Sequence, residues 1–402
     1  MSSSMLEDLV ERAEEQTRAG DRTKATALLR AAVDGATADL QRKPTQRTRA
    51  LRAVAAYQLA TLLLQESATV KEGDALVWRL GFRLRLADEA LRYDATLRRP
   101  PRRGKSPPRV VDGALGAANL KSLSAIFGRD GPYWPAHAGA NGFYSYHVPL
   151  DDKGPLGGFL RALPHVEGAT SGEIWAHSRE NDGAHQLHYD LDESALRSSR
   201  ETRSPIASSV FFLETIDNDG APTFVMERRL GDAASNAAGW LCAPRPNRLL
   251  TFDGSLLHCV VPPIPAPADA ARRRITIMVG WWGPEVTVGD PAVPSPNRPL
   301  GAPAWLPAVA FEDSATTPEP AAPHAVVRAW RRVKGPAQAF GDLASPEVVH
   351  AGRFFLREDP SEIDRNFLEA APKLAAAVEY VDLASLVAAP SPAPAKKKRR
   401  RK

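Results

Sequence analysis

Arg273-Arg274-Ile275-Thr276-Ile277-Met278-Val279-Gly280-Trp281-Trp282 reads as one β-strand, strongly apolar from Ile275 onward. Upstream of it the same texture recurs. Gly142–Val148, Glu173–His177, His185–Leu191, Ile206–Glu214, Thr223–Arg228, Arg248–Phe252 and His258–Val261 are short runs rich in Val, Ile, Phe and Trp, bounded by Gly, Pro, Asn and Asp. Strands in such number with no helices between them predict a jelly roll or barrel rather than a parallel sheet. The expected fold is a mainly β core of double-stranded β-helix (jelly-roll) type, with an α-helical N-terminal region and C-terminal helices.

The flanks divide accordingly. Residues 1–97 carry apolar positions at helical spacing (Leu6, Leu9 and Val10; Ala25, Leu28, Leu29 and Ala32; Val54, Tyr57, Leu59 and Leu63), with breaks at Gly20-Asp21 and Lys43-Pro44-Thr45. A helical layer packed against the β core is expected. Residues 98–109, from Arg98 to Arg109, form a basic, proline-rich stretch that reads as an exposed linker. The jelly-roll domain is placed at 110–285. Residues 286–387 read as a Pro/Ala-rich loop followed by helices over Ala325–Arg332 and Ser361–Leu386. Residues 388–402 read as a disordered basic tail.

Charge and composition exclude several function classes. The formal net charge is +5, but Lys396–Lys402 contributes seven positive charges, and the remainder carries −2. The basic character therefore belongs to a tail. Direct nucleic-acid binding is not expected beyond nonspecific tail contacts. No apolar run approaches the ~18 residues of a membrane span, and Met1–Glu15 lacks the form of a secretory signal. The tail is import-signal-like if the source is eukaryotic, so a cytoplasmic or nuclear location is expected. Cys242 and Cys259 are the two cysteines, and a reducing compartment is the simpler assumption.

Candidate chemistry sits on the expected strands. Side chains two apart in a strand share a face, so His188 and Asp190 can reach one metal ion while Tyr189 points away. His258, on a distant strand, completes a set of two imidazoles and one carboxylate, which suits Fe(II) and leaves open positions on an octahedral ion. Asp192 shares the parity of both and competes with Asp190, whereas His185, an odd step from His188, is expected to face the other way. Cys259 beside a ligand is expected to point away as a small buried residue. Arg274 and Thr276 share a face, and a guanidinium fork beside a hydroxyl suits a carboxylate. Arg272 has the same parity and is the fallback. Trp281, Trp282, Tyr144, Tyr146 and Trp175 are candidates for a substrate pocket or for core.

Taken together, Arg248-Leu249-Leu250-Thr251-Phe252-Asp253, His258-Cys259-Val260-Val261-Pro262 and Arg274-Ile275-Thr276-Ile277 resemble the distal half of the Fe(II)/2-oxoglutarate-dependent dioxygenases, nearest to the prolyl-hydroxylase-like branch. Gly220-Ala221-Pro222-Thr223-Phe224 resembles the turn between the two halves of that fold. The resemblance spans about residues 141–283. It implies that His188, Asp190 and His258 are the catalytic metal ligands, and that Arg274, with Thr276, binds the distal carboxylate of 2-oxoglutarate. Many prolyl hydroxylases carry Lys where Arg274 stands. The implied cofactors are Fe(2+) and the co-substrate 2-oxoglutarate, with ascorbate as an auxiliary reductant. The implied reaction consumes dioxygen and hydroxylates or demethylates a C–H bond, yielding succinate and CO2. Asp190 occupies the place that related halogenases leave vacant, which favours hydroxylation. The expected prime substrate is a protein or peptide. The alternatives are a small-molecule oxygenase and a jelly-roll binding or scaffold protein with a vestigial site.

Overall fold

The structure, a computed structural model, describes residues 2–80, 84–93, 107–137, 145–179, 185–192, 194–195, 201–215, 221–229, 238–261, 274–286, 288, 297–301, 303–312, 318–326, 328–333 and 340. Four helices open the chain: α1 (Ser3–Arg18), α2 (Arg22–Arg42), α3 (Gln46–Leu64) and α4 (Val70–Arg79). The first three begin at side-chain caps, as the sequence breaks imply. Ser2, Asp21 and Thr45 each accept a hydrogen bond from the backbone N–H three residues on, and Gly20 takes a left-handed φ of 78° to end the first turn-over. β1 (Leu84–Leu86) and α5 (Asp88–Leu91) follow, a strand where only helix was expected.

The next segment supplies β2 (Arg109–Asp112), α6 (Ala117–Phe127), α7 (Tyr133–His137), β3 (Ser145–Pro149), α8 (Pro155–Ala162), β4 (Ser171–Arg179) and β5 (His185–His188). Then come β6 (Ala207–Glu214), β7 (Thr223–Met226), β8 (Gly239–Cys242), β9 (Arg248–Asp253), β10 (His258–Val260) and β11 (Arg274–Trp282). The described chain closes with β12 (Asn297–Pro299), β13 (Glu319–Ala321), β14 (His324–Val326) and β15 (Trp330–Arg332).

These strands form an eight-stranded sheet, order β12-β3-β4-β11-β6-β9-β2-β13, and a five-stranded sheet, order β14-β8-β7-β10-β5; β1 pairs with β15. Every pairing is antiparallel except β12 with β3. The stretch that opens the sequence reading is β11, central in the large sheet between β4 and β6. Strand alternation divides its side chains between two cores. Ile275, Ile277, Val279 and Trp281 pack outward with α6 and α8 residues such as Ile126, Phe127, Phe159 and Leu160. Met278, on the opposite face, packs against a core shared with the small sheet, where Val210, Phe212, Leu250 and Phe252 meet Val225 and Cys242. The outer side of the small sheet (Phe224, Met226, Leu241, Cys259, Val261) is covered by Leu29, Val54, Tyr57 and Leu63 of the N-terminal helices. The helical layer against a β core is thus a physical necessity, because both faces of the small sheet are apolar.

Three expectations are corrected. Ala325–Arg332 is not a helix: Ala325 and Val326 lie on β14 and Trp330 on β15, where Val326 and Trp330 are buried by strand pairing. Helices do intervene in the β region, α8 between β3 and β4, because Leu156, Phe159 and Leu160 close the outer face of the large sheet. Arg109 belongs to a strand and pairs with Thr251, rather than to a linker. β8 was not foreseen at all. Residues 94–106, Ser361–Leu386 and the basic tail lie outside the described residues.

β8 carries a close approach. A Cβ added at Gly239 would lie 2.6 Å from Phe224 Cε2 and 2.7 Å from the Val225 carbonyl oxygen. The second atom is backbone and cannot swing aside. Gly239→Ala is therefore expected to lower unfolding free energy by about 1–3 kcal/mol, measured by urea denaturation.

Candidate metal centre

β5 and β10 are neighbours in the small sheet, and His188 and His258 are directly paired across them. Their rings stand 4.1 Å apart between centroids, tilted by 56°. β5 ends at His188, two residues before Asp190. The carboxylate nevertheless turns back toward the pair, with Oδ1 3.6 Å from both His188 Nε2 and His258 Nε2. One donor atom from each of the three residues lies within 4.8 Å of the others. The expected triad is therefore brought together, although Asp190 reaches it from beyond the strand end.

The surrounding contacts set each donor. Ser208, on β6 of the facing sheet, donates from Oγ to Asp190 Oδ2 at 2.6 Å, which leaves Oδ1 toward the imidazoles. His258 Nδ1 lies 3.0 Å from the Leu256 carbonyl oxygen. That acceptor holds the proton on Nδ1 and presents the Nε2 lone pair to a cation. Phe252 stands edge-on to the His258 ring at 4.9 Å and helps bury it. Two imidazoles, one oriented carboxylate oxygen and a partly exposed His188 edge fit a divalent transition-metal ion with positions left for other ligands. Ser208→Ala should weaken metal affinity about 10–100-fold, checked by Co(II) or Fe(II) titration.

One neighbour departs from expectation, and the competitor Asp192 stays out of the site. His185 does not turn away: its ring lies 4.7 Å from His188 and 5.7 Å from His177 of the large sheet. The cause is a register shift, three steps on β5 against two on β10 between the paired positions. Asp192 is fully buried and accepts the Ala195 N–H at 2.8 Å, and it stands outside the ligand group. Cys259 behaves as expected, fully buried in the core against the helices, and burial pushes its thiol pKa up.

Arg274 and Thr276 lie on the face of β11 toward the small sheet. Arg274 Nη1 donates to the Ala221 carbonyl oxygen at 2.5 Å, Nη2 lies 3.5 Å from Thr223 Oγ1, and the guanidinium sits 5.1 Å from the Phe212 ring centroid. Thr276 is buried. Arg272, Tyr144 and Gly220 lie outside the described residues. Trp281 is core, donating to Ser209 Oγ at 2.9 Å, while Trp282 faces inward and donates to Glu173 Oε2 at 3.1 Å.

Glu173 was not foreseen as a site residue. It is buried on β4, its other oxygen accepting from Ser145 Oγ. Burial pushes its pKa up, and Asp190 and Asp192 add to that against the two hydrogen bonds, bringing it to about 7. An unfolded glutamate titrates near ~4.3, so the folded chain holds the extra proton between the two values. Stability of the metal-free protein is therefore expected to fall as pH rises from about 4 through 7. Glu173→Gln should flatten that dependence in denaturation curves run across the window.

No family model and no curated protein matches the chain. Among solved structures it is similar to a Pseudomonas putida prolyl-4-hydroxylase, at 15% identity over 46% of this chain and 87% of that one, TM-score 0.29. It is similar also to a 2OG-Fe(II) oxygenase family oxidoreductase from Burkholderia pseudomallei (15% identity, 34% of this chain, 57% of that one, TM-score 0.20). An N-substituted L-amino acid dioxygenase from Burkholderia ambifaria AMMD is a further likeness (16%, 26% and 46%, TM-score 0.19). The geometry of the site carries the functional reading.

Proposed function

We propose that the chain is an Fe(II)- and 2-oxoglutarate-dependent oxygenase of double-stranded β-helix type that hydroxylates, or oxidatively demethylates, a C–H bond of a protein or peptide. The observation that carries this reading is the cross-strand pairing of His188 with His258 and the approach of one Asp190 oxygen to 3.6 Å from both. When bound, Fe(II) supplies the oxidising chemistry: one oxygen atom of dioxygen enters the substrate C–H bond and the other enters succinate, with loss of CO2.

The chain's own groups prepare that chemistry. The Leu256 carbonyl fixes the His258 tautomer and Ser208 fixes the Asp190 carboxylate, so neither ligand must reorganise on metal binding. Arg274 spans from β11 to the start of β7, whose Val225 is the Cα partner of His258. A carboxylate held at this guanidinium lies on the inter-sheet side where the imidazoles lie, the placement a chelating 2-oxo acid needs. Phe212, Val225 and Phe252 line the same space and exclude water from it.

The test is succinate release from 2-oxoglutarate with Fe(II) and ascorbate, with 2-oxoglutarate binding followed alongside because turnover without prime substrate is slow. Metal-dependent binding, weakened on the order of thirtyfold or more in Arg274→Ala, supports the reading. Folded, metal-loaded wild type that neither binds nor turns over 2-oxoglutarate refutes it.

A further inference from the structure

One row of residues crosses four adjacent strands of the large sheet beside the metal centre. Ser208 on β6 is paired with Gly280 on β11, Gly280 with Glu173 on β4, and Glu173 with His147 on β3. Directly paired residues share a face, and this is the face on which Ser208 reaches Asp190. At about 4.8 Å per strand, Glu173 stands about 10 Å along the sheet from Ser208. Gly280 itself carries no side chain, and indole rings close over it: a Cβ there would come within 3.1 Å of Trp282 Nε1, 3.7 Å of Trp175 Cζ3 and 3.8 Å of Glu173 Cβ.

The far end of the row has polar groups that lack a counterpart. Glu173 is 8% exposed, with one oxygen bonded by Ser145 and the other by Trp282, and it forms no ion pair among the described residues. The charges acting on it are the carboxylates of Asp190 and Asp192, both repelling its ionised form. His147, directly opposite, is 9% exposed, and its buried Nδ1 has no hydrogen-bond partner among the described residues. Burial holds this imidazole below its usual pKa and favours the neutral ring, whose Nδ1 accepts a hydrogen bond in the tautomer that carries its proton on Nε2. A buried carboxyl without a cation beside a buried ring nitrogen without a hydrogen-bond partner is costly unless a ligand completes both.

Resting on the oxygenase reading above, we propose that Glu173 and His147 form the recognition site for a cationic nitrogen group, an ammonium or guanidinium, on the prime substrate. The group replaces the missing counterion at Glu173 and donates a second hydrogen bond to His147 Nδ1, while the carbon to be oxidised lies toward Asp190, past the indoles of Trp282 and Trp175 that close over Gly280. Charge-assisted bonds to a buried carboxylate discriminate against a neutral isostere more strongly than apolar fit can.

Matched probes test this on the full-length, metal-loaded protein. Nα-acetyl-lysine amide is compared with Nα-acetyl-norleucine amide, and an arginine peptide with its citrulline counterpart. Free lysine and arginine form a separate arm that distinguishes small-molecule from peptide sources. Binding is read by calorimetry and coupling by succinate release. The expected result is a preference of about thirtyfold or more for the cationic member of a pair, lost in Glu173→Gln. Equal response to both members, preference for the neutral one, or no response to any cationic probe while 2-oxoglutarate still binds overturns this inference and leaves the oxygenase reading standing. Loss of 2-oxoglutarate binding in wild type overturns both. The wild-type comparison decides the question even where Glu173→Gln fails to fold.

Discussion

On the oxygenase reading, Asp190→Ala is expected to abolish metal-dependent turnover of 2-oxoglutarate while leaving the fold intact. Asp190 is the one anionic donor of the group, and its Oδ1 lies 3.6 Å from each imidazole Nε2. Without it, two imidazoles 4.1 Å apart are left to hold a divalent cation in a largely buried setting. The loss of affinity should exceed the ~10–100-fold that removal of an orienting outer partner costs. Ser208 Oγ would lose its acceptor, but Asp190 lies beyond the end of β5 and pairs with no strand, so little folding energy is at stake. Succinate assays over an Fe(II) titration, with circular dichroism as the folding control, check this. A variant within a few-fold of wild type at low Fe(II) would remove Asp190 from the metal site.

Arg85→Ala destabilises the protein by about 3 kcal/mol or more without touching the metal centre. Arg85 is fully buried on β1. Its Nε donates to Asp74 at 2.5 Å, its Nη1 donates to the Leu86 carbonyl oxygen at 2.7 Å, and its Nη2 lies 2.9 Å from Asp88 Oδ1, outside hydrogen-bond alignment. Asp88 also meets Arg92 and Arg331, so this cluster joins α4 and α5 to β15, from the far end of the described chain. Burial acts to raise the Asp88 pKa, but the guanidiniums of Arg85, Arg92 and Arg331 outweigh it and hold the carboxyl below its usual value. Truncating Arg85 strands Asp74 and leaves a cavity where its stem packed. Urea denaturation measures the effect, and a loss under about 1 kcal/mol, the range of an exposed pair, would contradict the account.

Much of this arrangement is legible in the sequence, for identifiable reasons. β11 is long, apolar and β-branched, and β6 is long and carries a Val-Phe-Phe-Leu run, so their strand character does not depend on context. His188, Asp190 and His258, which converge in the structure, are legible because metal chemistry demands few residue types at few spacings, and Arg274 with Thr276 is proposed on the same ground for a carboxylate. The failures have equally specific causes. Ala325–Arg332 mixes Val326-Val327 with Ala and Arg at helix-compatible spacing, and pairing with β8 and β1 draws its two ends into strands. His185 was misplaced because a register shift between β5 and β10 cannot be seen in a single strand. Ser208, Glu173 and His147 sat on expected strands, yet their convergence follows from register across β6, β11, β4 and β3, which is a property of partners rather than of any one segment.

The most direct test of the central claim is a calorimetric titration of the apo chain with Fe(II) under anaerobic conditions, followed by 2-oxoglutarate. The account predicts one ion per chain, lost in Asp190→Ala and His258→Ala, and 2-oxoglutarate binding that requires the ion. Failure of wild type to bind a stoichiometric ion, or 2-oxoglutarate binding indifferent to metal, would contradict it.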